Sequence, residues 1–172
     1  MKNIRHTISL LIGIFFALKV SAFELKGLTL GASTSPDQVS SAMGVKCGEG
    51  ANGMQVCNGP TTIGGVWGSV NIVISPTKQL QRIQFSFDED SFDTLAEAFT
   101  EKYGKPKIER SVAQNAFGAK FNQTALTWSE VGGNQIHLSK NLTKRGSAFI
   151  WFSTKNDREM LGTSRKANKD DL

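Results

Sequence analysis

The sequence has few of the side chains from which metal and nucleophilic sites are built. Its 172 residues include two cysteines and two histidines. It contains neither a C-x-x-C nor a G-x-S-x-G motif, and His137 is the only histidine after residue 22. A single histidine cannot share a metal with a second one, and no serine or cysteine is placed as its nucleophile. The sequence therefore predicts no catalytic residue, no metal and no cofactor, which makes a hydrolase the least favoured function.

Long apolar runs are also scarce, and the one that stands out is at the start. The run Ile8–Leu18 follows Lys2 and Arg5, and the small residues Val20-Ser21-Ala22 come shortly after it. This arrangement is typical of a signal peptide, so residues 1–22 are predicted to be removed by cleavage before Phe23; an uncleaved anchor is the alternative. No cysteine follows as a lipid attachment point. We expect a periplasmic or secreted protein with no stable membrane anchor.

Basic charge is scarce once that segment is removed. The chain carries 20 basic and 15 acidic residues. Three basic residues lie in the first 22, so 17 minus 15 leaves a net charge of +2. No run of five lysines or arginines remains, which argues against nucleic acid as a partner.

The two cysteines, Cys47 and Cys57, lie ten positions apart. In an exported protein an isolated pair most simply forms a disulfide. We interpret residues 23–162 as a single domain and residues 163–172 as a mobile polar tail, because Leu172 is the only large apolar residue in that tail.

The clearest strand and helix follow one another in the middle of the chain. Ile83, Phe85 and Phe87 alternate with polar residues, as in a half-buried strand. From Phe92 onward, apolar residues recur at helical spacing up to Gly104, where a left-handed cap is expected. We expect the strand and the helix to share one core.

An earlier helix has a similar entry. Ser35 and Gln38 form a capping box around Pro36, and this helix start lies 56 residues before the one at Phe92. Strand candidates follow both helices. The predicted fold class is α+β, with two helix–strand–strand–strand units at about 23–87 and 88–162. They would form one antiparallel sheet of about six strands with both helices on one face.

Two further motifs allow a ligand interpretation. Gly64-Gly65 resembles a phosphate cradle, but without G-x-G-x-x-G or a P-loop lysine a hairpin turn is the better interpretation. The acidic run Asp88, Glu89, Asp90 and Asp93 invites calcium, but helix capping explains it without a metal, and the calcium-loop spacing is missing.

The run LTLGASTSPDQV, Leu28 to Val39, resembles the LG-x-T-x-x-x-V helix entry of small bacterial envelope proteins. With the cysteine pair after the first helix, the pattern is similar to β-lactamase-inhibitor proteins and to small outer-membrane-assembly lipoproteins. The chain departs from the lipoproteins because it lacks a lipid-bearing cysteine. The resemblance implies action through protein–protein binding, and for inhibitor members through the open face of the sheet.

The sheet face away from the helices is therefore the predicted binding face. An exposed aromatic pair beside an arginine is typical of interface hot spots. The alternative is that the segment after Lys155 folds over Phe149 and Trp151. Trp67, at a predicted hairpin tip, is a secondary contact. The predicted binding residues are Arg82, Gln84, Thr127, His137, Phe149 and Trp151.

These observations favour a non-enzymatic protein-binding module whose partner is another periplasmic or envelope protein. It would act as an inhibitor of, or immunity factor against, an envelope-acting enzyme. The alternative is a component of cell-envelope assembly or a scaffold. The two differ in the expected partner, which is a soluble enzyme in the first case and membrane machinery in the second.

Overall fold

The structure is a computed structural model that describes residues 22–114, 118–140 and 146–170, except the side chains of Ala113 and of residues 164–170. Most of the predicted signal peptide therefore lies outside the described residues. The strands are β1 (Glu24–Leu25), β2 (Leu28–Thr29), β3 (Lys46–Glu49), β4 (Gln55–Ile63), β5 (Val66–Ile74), β6 (Leu80–Asp88), β7 (Lys107–Gln114), β8 (Lys120–Ser129), β9 (Gln135–Lys140) and β10 (Ser147–Ser153). The helices are α1 (Pro36–Met43), α2 (Phe92–Tyr103) and α3 (Lys155–Asp170).

Eight of the strands form one antiparallel sheet in the order β3-β4-β5-β6-β10-β9-β8-β7, and β1 and β2 pair separately. The predicted α+β class with two three-strand units is wrong, because the described chain is mostly β. The edge strands β3 and β7 show no regular alternation of apolar and polar residues, so about six strands were expected instead of eight. The two predicted helices, α1 and α2, do pack on one face of the sheet, but a third helix, α3, lies against the opposite face.

The core lies between the sheet and helices α1 and α2. The predicted inward residues Ile83, Phe85 and Phe87 are all buried, and so is Phe99 of α2. Helix α1 contributes Val39 and Met43 to the same core. The predicted inward face of β6 and the predicted stripe of α2 are confirmed.

The predicted helix boundaries follow the local chemistry. The capping box is present: Ser35 Oγ accepts from the Gln38 backbone N–H, and Gln38 Oε1 accepts from the Ser35 backbone N–H. Gly44 ends α1 in the left-handed conformation, with φ 71°. Before α2, Asp88 Oδ1 accepts from the Asp90 N–H across a short 3₁₀ turn. This bond accounts for part of the acidic run by capping.

The glycine pair is a hairpin turn. Ile63 pairs with Val66, so Gly64 and Gly65 are the two loop residues, and both have positive φ. Two such residues are typical of a tight type I′ connection, which confirms the turn interpretation. Trp67 is therefore the second residue of β5 rather than part of the hairpin tip that we predicted.

The disulfide between Cys47 and Cys57 is present, as predicted. The two residues lie directly opposite each other on the edge strand β3 and its neighbour β4. The bond is consistent with an extracytoplasmic location. None of the helices within the described ranges has the length and apolar character needed to cross a membrane.

Removing the disulfide should weaken the fold without abolishing it, because the bond closes a short loop at the sheet edge. We expect the double variant Cys47→Ser/Cys57→Ser to lose roughly 2–3 kcal/mol of unfolding free energy in urea. Intact-mass measurement after alkylation without reductant should show no free thiol in the wild-type protein. Two alkylated cysteines there would contradict the assignment.

Phe99→Ala should be among the most damaging single changes, at roughly 3–5 kcal/mol of unfolding free energy, because it leaves a cavity in the core. The Phe99 ring lies 5.6, 5.9 and 5.7 Å from the rings of Tyr103, Trp128 and Phe152. Glu97→Ala, at an exposed position of the same helix, is the matched control and should change stability little. Similar losses for both variants would contradict the assigned core face.

Candidate functional site

Four outward-facing side chains form a row across the middle of the sheet. The register pairs Gln84 of β6 with Trp151 of β10, Trp151 with His137 of β9, and His137 with Thr127 of β8. Neighbouring strands lie about 4.8 Å apart, so this central row is about 14 Å long. Four of the six predicted binding residues therefore lie side by side, and their role in binding stays a prediction.

The other two predicted residues flank the central row on opposite sides. Phe149 pairs with Ser86 and Ser139 in the next row and is half-buried. Arg82 pairs with Ser153 in the row on the other side, and its Nε lies 3.5 Å from Asp157 Oδ2 of α3. Arg82 is therefore already engaged with the helix.

Trp67 lies apart from this group. Its side chain is 68% exposed and is on the same face of the sheet as the central row. It comes four residues before Asn71, which pairs with Gln84 in the central row. At about 3.4 Å per residue, Trp67 is about 14 Å along the strand from the central row. Trp67 is therefore not part of the central row, and its role as a secondary contact stays a prediction.

Helix α3, which the sequence did not predict, borders the row. Thr154, the residue before the helix, caps its start: its Oγ1 accepts from the Asp157 N–H at 3.1 Å and donates to Gln81 Oε1 at 2.7 Å. Arg158 Nη1 donates to the carbonyl and the hydroxyl of Ser153, and its Nη2 donates to the Gly133 carbonyl. These bonds fix the first turns of the helix against the sheet. The mobility predicted for residues 163–172 stays a prediction, although α3 continues to Asp170.

A cleft of about 330 Å³ lies between α3 and the sheet. Trp151 keeps 37% of its surface exposed there, and Leu161 keeps 41%. The helix therefore borders Trp151 without burying it. Wider grooves of about 580 and 620 Å³ lie beside α1 and α2, but no aromatic side chain lines either of them. The cleft is lined by Gln135, His137, Trp151, Ser153, Arg158, Leu161 and Gly162.

His137 is the titratable group of the cleft floor. Its Nδ1 lies 3.1 Å from Thr127 Oγ1, and its ring centroid lies 6.3 Å from that of Trp151. Burial lowers the pKa of His137 below its usual value, and the nearby Glu109 carboxylate offsets part of that effect. Glu109 is itself paired with Lys107 at 2.7 Å. Burial therefore favours the neutral form of the imidazole.

The end of the cleft near α3 has more positive than negative charge. Asp157 is 2% exposed, and burial raises the pKa of its carboxyl, while Arg82 and Arg158 act in the opposite direction. Arg82 is paired with this carboxylate at 3.5 Å, and Arg158 adds a second positive charge nearby. Lys155 and Glu159, further along, form their own pair at 3.8 Å.

Sequence reasoning missed Asp157, Arg158 and Leu161. A signal for them was present, since Thr154 is followed three positions later by Asp157, the pattern of a helix start. The polar composition of the following residues hid the helix, because it offers little apolar periodicity.

The described parts of the chain hold no group of three or more histidine, cysteine, aspartate or glutamate side chains arranged to bind a metal ion. Comparisons with protein families, with curated proteins and with solved structures find no match to this chain. The resemblance to β-lactamase-inhibitor proteins therefore stays a prediction.

The lowered pKa of His137 predicts a low titration midpoint. Stability from this group is present above the unfolded value of about 6.5 and is lost as pH falls through the folded value, because the unfolded chain takes up the proton first. NMR titration of chain 23–172, in which His137 is the sole histidine, should give a midpoint below 6.5. The variant His137→Gln should lose less stability than the wild type between pH 7 and 5. A midpoint at or above 6.5 would contradict the burial argument.

Proposed function

We propose that this chain is an exported, non-enzymatic module that binds another protein of the periplasm or cell envelope through the cleft and the central row. The observation that carries the proposal is Trp151, a large aromatic side chain left 37% exposed at the edge of a cleft in an otherwise well-packed sheet. Partly exposed aromatics in concave sites are typical anchors of protein interfaces. Export rests on the predicted signal peptide and is supported by the disulfide.

The lining of the cleft also suggests what the partner presents. Trp151 and Leu161 form an apolar surface, the imidazole of His137 lies beside it, and the guanidinium of Arg158 lines the same cleft. An apolar side chain next to a carboxylate would complement that surface. Inhibition of an envelope-acting enzyme, or immunity against one, is the role we propose for such binding.

The test compares two exposed tryptophans on the same face of the sheet. Immobilised mature protein would be used to capture partners from periplasm and from solubilised membranes, with Trp151→Ala and Trp67→Ala beside the wild type. We expect Trp151→Ala to weaken binding to the captured partner by roughly 2–4 kcal/mol, which is thirtyfold or more. Trp67→Ala should leave that affinity unchanged, because Trp67 lies outside the central row.

Thermal melting of the same variants separates an interface from a structural role. Trp151→Ala should melt close to the wild type, because a partly exposed ring contributes little to the core. A variant that melts several degrees lower yet keeps its partner would show that Trp151 is structural. Equal loss of binding in both tryptophan variants would contradict the proposed location of the site.

A further inference from the structure

The backbone of Phe23 is held at both its amide and its carbonyl. Its N–H donates to Glu130 Oε2 at 3.2 Å, and its carbonyl accepts from the Leu30 N–H at 2.9 Å. The side chain is only 5% exposed and packs edge-on against Tyr103, with ring centroids 5.3 Å apart. The position of the Phe23 nitrogen is therefore fixed by the core.

Glu130 is held in place just as firmly. It lies in the turn between β8 and β9, where its N–H donates to the Asn134 carbonyl and its own carbonyl accepts from the Gly133 N–H. Its Oε1 accepts from Asn134 Nδ2, which leaves Oε2 for Phe23. The carboxylate is thus oriented toward the Phe23 nitrogen by contacts of its own.

Cleavage of the predicted signal peptide would also make this nitrogen the free α-amino group of the chain. The motif Val20-Ser21-Ala22 places the cut directly before Phe23, and Ala22 is exposed. Cleavage would convert an amide with one N–H into an ammonium with three N–H donors and a positive charge. The amide N–H already donates to a carboxylate, and an ammonium in its place would add the attraction between two opposite charges.

We propose that Glu130 is a binding site for the α-ammonium group of Phe23, so that removal of the signal peptide adds an ion pair to the fold. The proposal rests on the predicted cleavage and is independent of partner binding at the cleft. A chain that still carries residues before Phe23 lacks this ion pair. The processed protein is then more stable than its precursor, which favours folding after export.

Other charged or titratable side chains share the neighbourhood. Tyr103, Lys105 and Lys107 line the same groove as Phe23, Lys107 is paired with Glu109, and burial raises the pKa of Tyr103 to about 12. The test therefore keeps these groups constant and changes only residue 130 and the start of the chain.

Four proteins form the test: chains beginning at Phe23 or at Val20, each with Glu130 or with Glu130→Gln. The three extra residues move the α-ammonium by about 10 Å, beyond the screening length of about 8 Å at physiological salt. At pH 7 we expect Glu130→Gln to raise the unfolding equilibrium constant about tenfold more in the Phe23 chain than in the Val20 chain. An equal loss of stability in the two chains would overturn the proposal.

The pH dependence distinguishes an ion pair from a simple hydrogen bond. An α-amino group ordinarily titrates near 7.7–8.0, and a carboxylate partner holds it charged to higher pH. The added stability should be present below that range and be lost as pH rises through the folded value. Between pH 7 and 10, the stability lost through Glu130→Gln in the Phe23 chain should therefore shrink. In the Val20 chain, the stability lost through the same substitution should not change over this range.

Two measurements on the wild-type protein keep the proposal testable if the variants fold poorly. Mass spectrometry of the exported protein should give Phe23 as the first residue; any other first residue would overturn the proposal. The acylation rate of the α-amino group in the folded Phe23 chain should reach its half-maximum at higher pH than in the Val20 chain. Identical profiles would show that Glu130 does not bind the ammonium.

Discussion

The pairing of β6 with β10 is the contact on which the rest of the structure depends. Seven residue pairs, from Asp88 with Ser147 to Arg82 with Ser153, join the strands that precede α2 to those that follow it. The same register places Phe85 opposite Ile150 in the core and Gln84 opposite Trp151 outside it. Because side chains alternate along a strand, a shift of one residue would exchange core and binding face. Core and candidate site are thus specified together.

Helix α3 is held to the sheet mainly by polar contacts, which is unusual for a helix that borders a cleft. Thr154 caps its start, and the buried carboxylate of Asp157 lies 3.5 Å from Arg82. Burying a charge is costly, and the positive charges of Arg82 and Arg158 offset part of that cost. Leu161 keeps 41% of its surface exposed, so its burial contributes only part of what a core leucine would. The width of the cleft therefore depends on charge and hydrogen bonding.

The sequence was a good guide wherever one side of an element is buried. Alternation predicted the inward residues of β6, and the capping box and Gly44 predicted the limits of α1. Elements with little buried surface were missed. Strand β7 (KIERSVAQ) lies at the sheet edge with Ile108 and Val112 exposed, so its alternation carries no burial signal. Helix α3 was missed because its contacts are polar, and these omissions made the predicted fold class wrong.

The same limit applies to the candidate site. The alternation of side chains along each strand was enough to predict one shared face for Gln84, Trp151, His137 and Thr127. This prediction needs only the local pattern of each strand and the correct strand neighbours. The cleft could not be predicted in this way. It depends on where α3 lies after β10, and that position is set by contacts between residues as distant as Gln81 and Thr154.

The three tryptophans show how context decides the role of a residue type. Trp128 faces the core at 3% exposure, and its indole N–H donates to the Gly104 carbonyl at 2.7 Å, which ties the end of α2 to the sheet. Trp67 is largely exposed and lies about 14 Å along the strand from the central row. Trp151 faces away from the core but is bordered by His137 and Leu161. It combines a fixed position on a paired strand with an accessible ring surface, and a preorganised contact requires both.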